Sequence, residues 1–147
     1  MGDRVFVDTS VLVYAWDSAE PEKQKQALAW MTHLWKARTG RLSYQVLTEF
    51  YITVTKKLDP GMEPEQARRN VRLFFPWHPV QIDGQALETA WHVQDRYRLS
   101  WWDALIVSAA RTASCRYLLT EDLRSGEEFL EIKVINPFLM SPGALGK

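Results

Sequence analysis

A single cysteine, Cys115, in 147 residues cannot close an intrachain disulfide, and its isolation fits a reducing compartment. Charge of one sign is missing too. Lys and Arg number 18 against 18 Asp and Glu, a formal net charge of zero. The basic surplus of a typical nucleic-acid binder is therefore absent, unless several acids gather in one site and leave the remaining surface net basic. Long apolar runs are also lacking. The longest, near ALIVSAA, is far short of a bilayer span. The first is broken by Asp8 and preceded by Asp3, unlike a signal peptide. These absences predict a soluble cytoplasmic protein with no membrane partner. With no repeat, low-complexity segment or clear linker, the expectation is one domain over residues 1–147.

Familiar catalytic signatures are missing as well. There is no G-x-S-x-G, no G-x-G-x-x-G and no Walker pattern. His33, His78 and His92 lack metal-ligand spacing. Cys115, beside Arg116, reads as a small buried apolar residue rather than a nucleophile.

What is present is apolar and well patterned. Hydrophobic residues make up 46% and include seven Trp, so the chain is globular and long enough to bury a core. Residues 4–7 read as a strand. Over 20–40, Ala27, Trp30, Met31, Leu34 and Trp35 recur at helical spacing, with Gly40 as the stop. RLSYQ is a short extended segment. Over 46–58, Val46, Leu47, Phe50, Tyr51, Val54 and Leu58 form one helical stripe. DPGMEP, 59–64, is a turn cluster, and PEQARRNVRLFF is a polar-faced helix. HPVQID reads as a short strand, 83–99 as a helix, and 100–114 as a helix apolar on most sides and therefore buried. RYLLT and IKVIN complete the strands. Alternating strands and helices predict an α/β fold with a parallel sheet.

In such sheets function collects at the carboxyl ends of strands. Asp8 directly follows the first strand, and Asp122 follows RYLLT by two residues. Glu49 lies about 60° outside the apolar stripe of its helix, at a cleft boundary. Asp103 lies in the first turn of the buried helix. Each acid has a plain structural reading. Asp8 caps the next helix with Thr9 or Ser10, and SWWD forms a capping box from Ser100 to Asp103. Glu49 is a solvated helix residue, and Asp122 sits in a turn with Thr120 or Glu121. Taken together the four acids argue otherwise. Clustered carboxylates repel, and a divalent cation relieves the repulsion. Two such ions would activate a water and stabilise the leaving oxygen of a phosphodiester.

Four segments in order, FVDTSVLVYAWD, SYQVLTEFYITVTKK, WWDALIVSAA and YLLTEDLRSG, followed by IKVINPF, resemble the PIN-domain family, and most closely its VapC-type toxins. The resemblance implies a three-layer α/β/α fold with a central parallel sheet. It implies an Mg²⁺- or Mn²⁺-dependent ribonuclease with RNA as substrate. It assigns metal binding and catalysis to Asp8, Glu49, Asp103 and Asp122, with Asp8 and Asp103 as direct ligands and Glu49 and Asp122 acting partly through water. Thr9 and Thr120 match positions whose hydroxyls support the acids; Ser10 is placed beside them in that supporting role, at a position where many relatives carry Asn. Frequent homodimers and a cognate antitoxin are also implied.

Arg68, Arg69 and Arg72 share one helix, and Arg96, Arg98 and Arg124 lie near acidic segments. All six are candidate phosphate contacts, against the plainer reading of a solvated face. The surplus of aromatics in the first half, Trp16, Trp30 and Trp35, is either core or a surface for association. Competing functions are a non-toxin PIN nuclease of RNA processing and a catalytically silent binding module of the same fold. An aspartyl-phosphate enzyme fits poorly. Ser10 stands where a second Asp is wanted, and Lys133 lies inside the last strand rather than at its end.

Overall fold

The computed structural model describes residues 2–145. Five strands form one sheet: β1 (Val5–Val7), β2 (Gly40–Arg41), β3 (Tyr117–Leu119), β4 (Glu128–Phe129) and β5 (Ile132–Ile135), in the order β2-β1-β3-β5-β4. All neighbours are parallel except β4 and β5. The helices are α1 (Thr9–Tyr14), α2 (Pro21–Ala37), α3 (Tyr44–Lys56), α4 (Pro64–Leu73), α5 (Gly84–Tyr97) and α6 (Trp101–Thr112).

Val5, Phe6 and Val7 are all fully buried. Successive strand residues point to opposite faces, so helices cover both sides of the sheet, and three layers result. One continuous apolar cluster runs through them, from Trp30 and Leu34 on α2 and Phe50 on α3 to Val107 on α6. Cys115 belongs to it, and burial pushes its thiol up to about 12, which leaves it inert.

From β1 the chain goes first to β2 on one side and later to β3 on the other. That reversal of direction opens a crevice at the carboxyl end of β1. The helix ends are sealed locally. Ser43 caps α3 through Val46 N, Asp83 caps α5 through Ala86 N, and Ser100 caps α6 through Asp103 N. Helix α2 ends at Ala37, ahead of Gly40, because Arg38 turns left-handed at φ 60°. Gly40 instead starts β2, where a Cβ would collide with the ring of Trp77.

Three local expectations are corrected. HPVQID is not a strand: Val80 makes a single bridge to Ser43, and the segment then turns into α5. The helix over PEQARRNVRLFF stops at Leu73, followed by a 3₁₀ turn at Phe75–Trp77. Helix α6 is buried from Ala104 to Ala110, but Trp102 in its first turn is 61% exposed. Of the early tryptophans, Trp30 is core, whereas Trp16 and Trp35 are partly open to solvent.

Candidate active site

Asp8 leaves β1 at the crevice, its backbone N–H bonded to Leu119 O of β3 at 3.1 Å. It caps α1 as well. Its Oδ1 accepts from Thr9 N at 2.7 Å, while Oδ2 accepts from the Thr120 hydroxyl at 2.8 Å. The fully buried Thr120 oxygen in turn accepts from Asp122 N at 3.0 Å. One hydroxyl thus fixes Asp8 and Asp122 relative to each other. On the other side, the Thr9 hydroxyl donates to Glu49 Oε1 at 2.9 Å, joining α1 to α3. Asp103, in the first turn of α6, raises the pKa of Asp122 through its charge. Ser10 Oγ is buried without a protein partner.

Burial pushes the Asp8 carboxyl up to about 7, although the Thr120 and Thr9 donors favour its ionised form; the charges of Asp122 and Glu49 push it further. Asp122 is raised too, first by partial burial and then by Glu121 and Asp103, against a hydrogen bond with Asp8. Among the described residues, no Lys or Arg pairs with any of the four acids. The capping reading of Asp8 is therefore correct but incomplete. An N-cap explains Oδ1; it does not explain a buried threonine that bonds Oδ2 and anchors the backbone of a second acid.

Among the described residues, no three acidic, histidine or cysteine side chains form a ready-made metal cage. The acids are linked pairwise instead. The donor set nonetheless fits a hard cation: it is all oxygen, and each Asp8 oxygen keeps a lone pair beyond the bond it accepts. Mg²⁺ suits such a set, since it needs only one or two carboxylates and fills its octahedron with water and phosphate.

None of the six arginines forms a salt bridge with an acid of this cluster among the described residues. Arg68 and Arg72 pair with Glu65 at 3.6 and 3.4 Å, and Arg124 with Glu127 at 4.0 Å. Arg69 is exposed on α4, Arg96 stacks over Tyr97, and Arg98 ends α5. Sequence reasoning missed Lys23. Its Nζ lies 2.9 Å from Glu121 and 3.3 Å from Tyr14 OH, over the ring of Phe138. A contact spanning 98 residues leaves no local signal. Also missed was the cleft beside Glu49, walled by Tyr44, Gln45, Thr48, Gln81, Ile82 and Trp102.

The sequence model of the PIN domain matches residues 5–130, most of the chain. This protein belongs to the PIN-domain family. No curated protein matches it in sequence. Among solved structures, this PIN chain is similar to a toxin–antitoxin complex from Klebsiella pneumoniae, with a TM-score of 0.64 at 20% identity, covering 90% of this chain and 97% of that one. It is also similar to VapBC2 from Rickettsia felis bound to a DNA fragment from its promoter, with a TM-score of 0.56 at 15% identity, covering 88% and 96%. At such identities the likeness establishes the PIN fold. Among the described residues, no helix of this PIN domain is long and apolar enough to cross a membrane.

Proposed function

We propose that this PIN domain is a divalent-metal-dependent ribonuclease that hydrolyses RNA phosphodiesters, and that it is the toxin of a toxin–antitoxin pair. The observation that carries the reading is the acid cluster at the crevice of β1, in a PIN fold: Glu49, Asp8 and Asp122 linked through Thr9 and Thr120, with no cation paired to them among the described residues. In this reading Asp8, Glu49, Asp103 and Asp122 hold Mg²⁺ or Mn²⁺. When bound, the metal lowers the pKa of a water and stabilises charge on the phosphate. The chain's own part is placement. Asp8 stands on a strand that cannot yield, Thr120 sets the Asp8–Asp122 spacing, and Thr9 fixes the rotamer of Glu49.

The toxin reading draws on the two structural neighbours, both toxin–antitoxin complexes that match over nearly their full length. It brings with it a cognate antitoxin and self-association as proposals. The test is cleavage of a cellular RNA pool by the purified chain with Mg²⁺, with Mn²⁺ and with EDTA, beside Asp8→Asn. Metal-dependent cutting lost in the variant supports the reading, and equal cutting by both proteins defeats it. Growth arrest on expression, absent for Asp8→Asn, tests the toxin role separately.

A further inference from the structure

Two features outside the acid cluster meet at one residue. The first is the cleft beside Glu49. Its walls carry Trp102, Ile82 and Tyr44, which are 61%, 48% and 42% exposed, and the amides of Gln45 and Gln81. Gln45 Nε2 is closed off from water without a hydrogen-bond partner. A largely apolar slot with an exposed indole suits the face of a planar heterocycle. The second is a groove lined by Arg4, Arg41, His78, Val80, Gln81 and Asp83, among others. Gln81 borders both, so the cleft and the groove adjoin.

The groove carries two arginines against one carboxylate, that of Asp83. Arg4 donates to Ala113 O at 3.0 Å, and Arg41 to Gly40 O at 2.7 Å; both acceptors are neutral. Neither arginine has a carboxylate partner among the described residues. The Asp83 carboxylate is engaged at the start of α5. Partial burial, and then the charge of Arg4, disfavour the charged form of Arg41. Two like charges held together with no carboxylate bonded to either suit an anion of repeating charge.

We propose that this edge is a substrate track: an unpaired nucleobase stacks on Trp102 in the cleft, and the neighbouring phosphates run along Gln81 onto Arg41 and Arg4. The inference rests on the ribonuclease reading for its choice of polyanion. The occupant is single-stranded RNA, because Glu49 is at once a wall of the cleft and a member of the acid cluster, so a base seated there brings its own phosphate to the acids. Duplex RNA has no free base face to offer the indole.

The test is fluorescence-anisotropy binding of a labelled short oligoadenylate to the full chain in EDTA, where no cutting occurs. The same strand without bases and a duplex serve as competitors. Trp102→Ala should weaken binding of the oligoadenylate about tenfold or more. It should leave the baseless strand unaffected, which a general loss of fold would not do. Arg4→Gln with Arg41→Gln should lower the slope of log affinity on log salt by about 0.7 for each phosphate no longer neutralised. Wild-type affinity in folded Trp102→Ala and in the double arginine variant overturns the track, as does failure of the wild type to bind or a preference for duplex. Loss of antitoxin binding with RNA binding intact also overturns it, and assigns the cleft to a protein partner. Binding with these dependences, but no metal-dependent cutting, would uphold the track and overturn the nuclease reading instead.

Discussion

At the carboxyl end of β1, Asp8 is linked to Glu49 and Asp122, with the charge of Asp103 acting on Asp122; ahead of its amino end stands Arg4, with Arg41 on neighbouring β2, and among the described residues neither set has an ion-pair partner. A formal net charge of zero conceals both. What sets these two groups apart is burial beside like charge: Asp8 is buried near Asp122 and Glu49, and Arg41 is partly buried near Arg4, whereas Arg68 and Arg72 share Glu65 on open surface. Two unpaired sets on one small sheet mean that the unfavourable term at each end is left for something else to offset. The acid end is also the rigid one, since its side chains hang on β1, on a buried threonine and on capped helices. The basic end is reached through long arginine stems with neutral acceptors, and so it tolerates a variable ligand better than a fixed one.

Removing the charge at the rigid end should have the largest effect. Asp8→Asn is expected to lower metal-dependent RNA cleavage about a thousandfold or more, since a bound cation supplies several kcal/mol of charge stabilisation. The measurement is initial rate at saturating Mg²⁺ and at saturating Mn²⁺. A loss below about tenfold would mean that Asp8 is a cap and no more.

Next comes pH, measured in metal-free protein. The folded value of about 7 for Asp8 lies above the ordinary 3.8. Between the two, the fold holds more protons than the unfolded chain, so stability is full below about pH 4 and is lost as pH rises through about 7. The loss is bounded at roughly 4 kcal/mol by 1.36 kcal/mol per unit. Asp122 shifts in the same direction and steepens the fall. Chemical denaturation from pH 4 to 8 should show this decline, flattened in Asp8→Asn and offset by added Mg²⁺. A curve that rises over that window would overturn the account of Asp8 as an uncompensated buried acid.

Thr120→Val tests the link without touching a charge. The swap strands Asp8 Oδ2 and Asp122 N, which costs about 1–3 kcal/mol of stability. Cleavage should fall about 10–100-fold, the range for partners that orient a metal's ligands. An unchanged rate in a destabilised protein would separate structural from chemical use of Thr120.

The sequence makes some of this legible and hides the rest for identifiable reasons. Helix α2 is readable because Ala27, Trp30 and Leu34 recur on one face and bury there. Asp8 after three apolar residues marks a strand end, and position alone makes it notable. Strand β4 is not readable: Glu128 and Phe129 are too short a run for alternation to appear. HPVQID fails because the alternation Val80, Gln81, Ile82 looks the same whether it makes one bridge or a ladder. Trp102 reads as core because its helix is apolar, yet in that first turn it is Trp101 that stacks on Trp91 of α5, and Trp102 faces solvent. Arg4 and Arg41 draw no notice since their significance is a missing partner, and absence of pairing is not written in sequence.

The smallest effect should come from Lys23, which stands between the two ends in kind: a cation that does have a partner. Its pair with Glu121 is partly exposed, with side chains 36% and 23% accessible, so Lys23→Met should cost less than about 1 kcal/mol. The informative readout is Asp122. The Glu121 charge raises it already, and Lys23 partly neutralises that charge. Without the lysine, the Asp122 titration followed by carboxyl NMR should move further upward, and metal-free protein should hold its proton to higher pH. A downward move would show that Glu121 swings away once released, so that Lys23 holds an acid against the cluster rather than shielding the cluster from it. Either direction reports on how closely the acid end is balanced. No change at all would make Lys23 a surface residue and leave the acid end sealed from its neighbours.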